Sequence, residues 1–124
     1  MNKLFVSLLL TLGVTGMAQA AGSAVVGDAT AGQAKTAVCA ACHGPNGNSA
    51  APNFPKLAGQ GERYLLKQLT DIKDGKRQVL EMTGQLTNLS DQDLADIAAY
   101  YAQQKNTVGA ADPALVARGQ ALFR

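Results

Sequence analysis

Tryptophan is absent, and aromatic residues make up only 5% of the 124-residue chain, as three tyrosines and three phenylalanines. A domain of this size with so little bulky apolar mass must fill its centre by other means, and something other than side chains is expected there. Histidine occurs once and cysteine twice. So few thiols exclude a multi-disulfide framework, and Cys and His together supply too few ligands for a structural zinc site, which has four. An Asp could complete a zinc set, but the second half-site that would make the pattern specific is missing. The formal net charge is +2, with no basic stripe and no block of like charge, so nucleic acid is not expected as a partner. No strand-type alternation of useful length occurs, and the chain reads as all-α.

One long apolar run is present, Leu4 to Gly16, preceded by Lys3 and followed by "MAQA" with small residues at Ala18 and Ala20. It is short for a membrane span and is followed directly by an A-x-A site, the pattern of a secretory signal peptide over residues 1–20, cleaved near Ala20. An uncleaved anchor is the alternative, disfavoured by the lack of a longer apolar extension. Only Phe54, Tyr64, Tyr100, Tyr101 and Phe123 then remain as aromatics.

The rest alternates helix signals with loops. A helix is expected over Asp28 to Val38, "DATAGQAKTAV", capped by Asp28 and delivering the cysteines at its end. The stretch His43 to Gly61 is dense in Gly, Pro, Asn and Ser and reads as a long loop, of the kind that wraps something in a small domain. In "ERYLLKQLTDIKDGKR", Leu65, Leu69 and Ile72 fall at helical spacing, with Glu62 and Lys73 suited to the two dipole ends and Gly75 able to close the helix. The clearest start signal is "LSDQDLADIAAYYAQQK": Ser90 and Asp93 form a capping pattern, Leu89 can staple on Leu94, and Leu94, Ile97, Ala98 and Tyr101 share a face.

Both cysteines and the histidine lie together in "CAACH", Cys39 to His43. A disulfide across so short a loop would contribute little and would leave His43 unexplained. A thioredoxin-like pair needs a strand-helix-strand setting that this chain lacks. C-x-x-C-H is the spacing of covalent haem attachment: each thiol adds to one vinyl group, and the adjacent His43 faces the iron. Export agrees with that reading. A second axial ligand is available in Met82, the one methionine beyond the expected signal peptide, set in the irregular "LEMTGQLTN". Thioether ligation raises the potential and suits an electron carrier. If Met82 does not bind, the iron keeps an open position, and a peroxidase-like enzyme or a sensor of diatomic gases becomes the alternative. A module that assembles through its tail, Leu122 and Phe123, is a third.

The segments "GQAKTAVCAACHGPNGNSAAPNFPKLAGQGERYLLKQL", "VLEMTGQLTNLSDQDLADIAAYYAQQK" and "ADPALVARGQALFR" resemble the class I cytochromes c, and within them the N-terminal half of the bacterial dihaem c4 type. The resemblance implies a small all-α fold with helices wrapped around one haem c, thioethers at Cys39 and Cys42, and iron held by His43 and Met82. It also implies that the Pro55 carbonyl, in Pro55-Lys56-Leu57, accepts the proton of the other imidazole nitrogen. The implied role is single-electron transfer in the periplasm rather than enzyme catalysis. Redox partners would be a quinol-oxidising complex or a terminal oxidase at the inner membrane, the carrier being a monomer that can associate with that membrane. The near-balanced charge points to a small, largely apolar docking patch around an exposed haem edge.

A dihaem protein needs a second C-x-x-C-H, which is not present. The tail "RGQALFR", Arg118 to Arg124, nevertheless echoes "AGQAKTA", Ala31 to Ala37, and Asp112-Pro113 supplies a cap and a first-turn proline. The expected organisation is a signal peptide over 1–20, a haem domain over 21–106, and over 107–124 a linker with the first helix of a truncated second domain. A single-haem protein with an added terminal helix is the alternative.

Overall fold

The computed structural model describes residues 25–123. The expected signal peptide over 1–20, its cleavage near Ala20, and Arg124 lie outside the described residues. These form five α-helices and no strand: α1 (Ala29–Gln33), α2 (Ala37–His43), α3 (Glu62–Lys73), α4 (Asp91–Gln103) and α5 (Pro113–Leu122). Pro45–Gly47 and Leu80–Met82 are single 3-10 turns.

The continuous helix expected over 28–38 is broken in two. Asp28 does cap α1, its Oδ1 accepting from the Thr30 and Ala31 amides at 2.8 and 3.2 Å. The next turn then tightens, with Lys35 N–H bonding Gly32 O at 2.9 Å and Thr36 N–H bonding Gln33 O at 3.3 Å. The Thr36 hydroxyl donates to the same Gln33 carbonyl at 2.9 Å, the local side-chain competition that interrupts helices at threonine. The break lets α2 restart in a new direction. Cys39, Cys42 and His43 therefore ride on a helix of their own.

Helix α3 follows its sequence signals. Leu65 is buried, Glu62 and Lys73 occupy the first and last turns, and Gly75 closes the end at φ +73 with its N–H on Ile72 O at 3.1 Å. Helix α4 starts on a complete capping box. Ser90 Oγ accepts from the Asp93 amide at 3.2 Å, and Asp93 Oδ2 accepts from the Ser90 amide at 2.8 Å. The expected apolar stripe proves too narrow, because every residue from Leu94 to Tyr101 is buried. Helix α1 covers one side of α4 and α3 another, leaving this small-residue helix no solvent face through its middle.

The α1 and α4 backbones touch. A Cβ on Gly32 would lie 2.0 Å from Asp96 O, and one on Gly27 would lie 2.2 Å from Ala95 O. At the same crossing the buried Asp96 carboxylate accepts from Asp28 N–H at 2.8 Å, Lys35 Nζ at 2.6 Å and Gln92 Nε2 at 2.8 Å. These donors, the Asp28 amide foremost, hold the Asp96 carboxyl down at about 2. Lys35 also pairs with Asp93 at 2.6 Å. Together with Ser90 it keeps Asp93 well below the usual carboxylate range, while the two carboxylates raise Lys35.

Helix α5 is capped by Asp112 Oδ1 on the Ala114 amide at 2.7 Å and begins at Pro113, as expected. All of its residues are exposed, Leu122 and Phe123 at 87% and 97%.

Two outcomes follow from the crossing. Gly32→Ala destabilises by on the order of 3 kcal/mol in urea denaturation, because main chain cannot retreat from the new Cβ. Gly119→Ala meets nothing within 4 Å and is neutral or stabilising, since alanine gains roughly 0.5–1 kcal/mol over glycine inside a helix. The acid limb is the second. Asp96 ionises more readily folded than unfolded, so its contribution is complete above the unfolded value of 3.8 and is lost as pH falls toward about 2. Denaturation midpoints fall over that window, and the fall is shallower in Asp96→Asn.

Candidate functional site

Cys42 is exposed, and Cys39 is half-buried against the core of Leu65, Ile97, Ala98, Tyr100 and Tyr101. Burial pushes the Cys39 thiol up. His43, at the last position of α2, is 8% exposed. Its Nδ1 lies 2.8 Å from Pro55 O, and Phe54 meets the ring edge-on at 6.3 Å. A carbonyl can only accept, so Nδ1 carries the proton and Nε2 keeps its lone pair. The imidazole is thus fixed in tautomer and orientation, with its donor nitrogen turned away from Pro55.

Pro55 is placed by the long loop after α2, and that loop is closed at one residue. Gly44, Asn46 and Gly47 have φ of +75, +59 and +74, and the Gly47 carbonyl accepts from both Leu57 N–H at 2.8 Å and Ala58 N–H at 3.1 Å. A Cβ on Gly47 would sit 2.7 Å from Cδ1 of Tyr101 and 2.8 Å from Ala58 N. Tyr100 secures the same turn by donating its hydroxyl to Asn46 Oδ1 at 2.8 Å. Asn48 and Lys56 fasten the loop to the chain leaving α4. Asn48 Oδ1 accepts from Thr107 N at 2.8 Å, its Nδ2 donates to Lys105 O at 3.0 Å, and Lys56 Nζ donates to Thr107 O.

Met82 lies half-buried at the end of the Leu80–Met82 turn. It lines a cavity of about 540 Å³ with Ile72, Val79 and Leu86 as apolar walls and Lys73 and Arg77 as charged ones. Cys39, Cys42 and His43 are not part of that wall. Cys39, Cys42 and His43 thus share one helix and Pro55 is bonded to His43, while Met82 lines the cavity beside the end of α3.

The donor set fits a group held through two sulfurs and one imidazole. No cluster of three His, Cys, Asp or Glu able to hold a bare ion exists among the described residues. Helix α2 meets the helical core through Cys39, while Cys42, on the same helix, is exposed.

Sequence reasoning missed Gly47, Asn46 and Tyr100 as supports of this site. The Pro45-Asn46-Gly47 run is a readable turn signal, whereas nothing local in the sequence pairs it with tyrosines on α4.

The family model described as Cytochrome c matches residues 21–105. Over 124 residues the chain is 78% identical to cytochrome c4 of Pseudomonas aeruginosa, covering 100% of this chain and 59% of that protein. It is 45% identical over 82 residues to cytochrome c-554(548) of Halomonas halodenitrificans, which covers 64% of this chain and 99% of that one. Among solved structures it is similar to reduced recombinant cytochrome c4 from Pseudomonas stutzeri, with TM-score 0.74 and 67% identity over 80% of this chain and 57% of the other. The chain spans about three fifths of the length of the cytochrome c4 relatives it matches.

Gly47→Ala is expected to cost on the order of 3 kcal/mol, since the new Cβ meets both a ring and main chain at positive φ. Tyr100→Phe removes one hydrogen bond and costs about 1 kcal/mol. Urea denaturation of the two variants beside the wild type gives that order.

Proposed function

Because the chain belongs to the cytochrome c family, whose members carry a covalently attached haem c, we propose that it is a one-electron carrier with thioethers at Cys39 and Cys42 and axial ligands His43 and Met82. The observation that carries this reading is the 2.8 Å bond from His43 Nδ1 to Pro55 O. It commits Nε2 to donating its lone pair and makes the imidazole a stronger donor through the partner on its other nitrogen.

When bound, the haem supplies an iron couple that changes by one electron. Cys39 and Cys42, three residues apart on α2 and so about one helical turn from each other, would anchor it. His43 is held at fixed orientation by Pro55, and the loop that presents Pro55 is closed at Gly47. Met82 contributes a soft thioether that favours the reduced metal. Ile72 of α3, with Val79 and Leu86, supplies apolar wall to the cavity beside Met82, while Leu65 and Leu69 pack in the core toward α4.

The proposed setting is the periplasm, reached by the 1–20 leader with cleavage near Ala20, with partners such as a quinol-oxidising complex or a terminal oxidase at the inner membrane. A docking surface that draws on exposed apolar side chains such as Val38, Tyr64 and Leu80, on a nearly neutral chain, would suit brief, weakly salt-dependent encounters. Residues 21–106 are read as one complete haem unit, supported by the near end-to-end coverage of the Halomonas relative. Residues 107–124 are read as a linker and the opening helix of a second such unit. The support is the echo of Ala31 to Ala37 in Arg118 to Arg124 and an exposed α5 whose Gly119 meets nothing.

The test is the absorption spectrum of periplasmically matured protein in both oxidation states. A weak far-red charge-transfer band from sulfur-ligated ferric haem is expected in the wild type and absent in Met82→Ala, and only the variant, once reduced, binds carbon monoxide readily. A wild type without the band that binds carbon monoxide takes Met82 out of the ligand set.

A further inference from the structure

Tyr101 is 1% exposed, and its hydroxyl is the one buried side-chain polar atom without a hydrogen-bond partner among the described residues. Its position is over-determined at every other atom. The ring packs edge-on to Tyr100 at 5.2 Å and passes directly beneath Gly47, and its carbonyl accepts from Gly59 N–H at 2.9 Å. The ring therefore cannot swing to seek water. Leaving a phenol proton unpaired in such a place is costly, and phenylalanine would fill the same volume without that cost.

Two groups face the hydroxyl, the Cys39 sulfur and the Thr36 side chain. The Thr36 proton is already committed to Gln33 O at 2.9 Å. The Cys39 side chain packs against the same cluster as Tyr101. As a thiol, Cys39 brings its own proton to this contact. As a thioether it has no proton and presents lone pairs only, so a phenol O–H is then the matching partner. Cys42, by contrast, is exposed and has no buried donor of this kind assigned to it.

We propose that Tyr101 is a positioning residue for the haem attachment, its buried hydroxyl donating to Cys39 Sγ and holding that thioether in a single rotamer. The inference rests on the reading of Cys39 as haem-bearing. It makes the two thioethers inequivalent. The Cys39 linkage is fixed from inside the core by α4, and the Cys42 linkage is held only by α2 and the haem.

The experiment is resonance Raman spectroscopy of the thioether C–S stretching bands in the holoprotein, in H2O and in D2O, for wild type, Tyr101→Phe and Thr36→Val. It is paired with proton NMR of the reduced wild type. One C–S band is expected to shift on deuteration in the wild type and in Thr36→Val, and that shift is lost in Tyr101→Phe. A slowly exchanging tyrosine hydroxyl proton with a nuclear Overhauser effect to the Cys39 β-protons is expected in the wild type, which keeps the proposal testable should Tyr101→Phe fold poorly. C–S bands that ignore deuterium, together with no such proton, overturn the role of Tyr101 while leaving haem attachment intact. A deuterium shift that survives in Tyr101→Phe and disappears in Thr36→Val overturns it in favour of Thr36. Absence of any thioether band overturns the attachment reading and this inference with it.

Discussion

The contact on which the rest of the molecule depends is the touch of two backbones on α4, at Gly32 of α1 and at Gly27 just before it. There is no room for a methyl group at either position, so the two helices approach more closely than side chains would allow. That closeness lets Asp96 reach the Asp28 amide and Lys35 at once. Such a contact is directional in a way that oily packing is not: it fixes how α1 lies against α4, and so the point from which the chain runs on into α2. The cysteine-bearing helix inherits its placement from a crossing that it does not itself join.

The site is correspondingly built from two kinds of support. On one side a short helix carries two sulfurs and an imidazole. On the other a loop with little regular structure carries the carbonyl that orients the imidazole. Loops of this composition hold their shape only when something rigid closes them, and here the closing element is the Gly47 turn pressed on the Tyr101 ring and tied by Tyr100 to Asn46. Helix α4 thus serves both halves, through its small residues toward α1 and its tyrosines toward the loop. This is why it is buried from Leu94 to Tyr101, although a single apolar face was all that its sequence periodicity indicated.

What could be read from the sequence was whatever is local. The capping box at Ser90 and Asp93, the closing glycine at Gly75, the Asp28 cap and the C-x-x-C-H motif each need only neighbours within a turn or two, and each is legible for that reason. The break between α1 and α2 escaped because alanine, glutamine and lysine all favour helix, and the interruption comes from one threonine hydroxyl competing for one carbonyl. The Asp96 network and the Tyr100 to Asn46 bond join residues far apart in sequence, and no spacing rule encodes them. Met82 was legible as a candidate by elimination, since one methionine remains beyond the leader. Its seat on a cavity wall with Ile72 and Leu86 was not.

The fastening of the loop to the chain beyond α4 has a mechanical meaning. Asn48 and Lys56 hold Lys105 and Thr107, so the polypeptide does not leave the domain from the end of a helix but is first strapped across the segment that carries Pro55. A tug or torque arriving along residues 108–123 is therefore delivered to that strap before it reaches the helical core. Its lever arm ends one residue from Pro55 itself, at Lys56. The direction in which the tail departs and the placement of the loop that carries Pro55 thus share one set of hydrogen bonds.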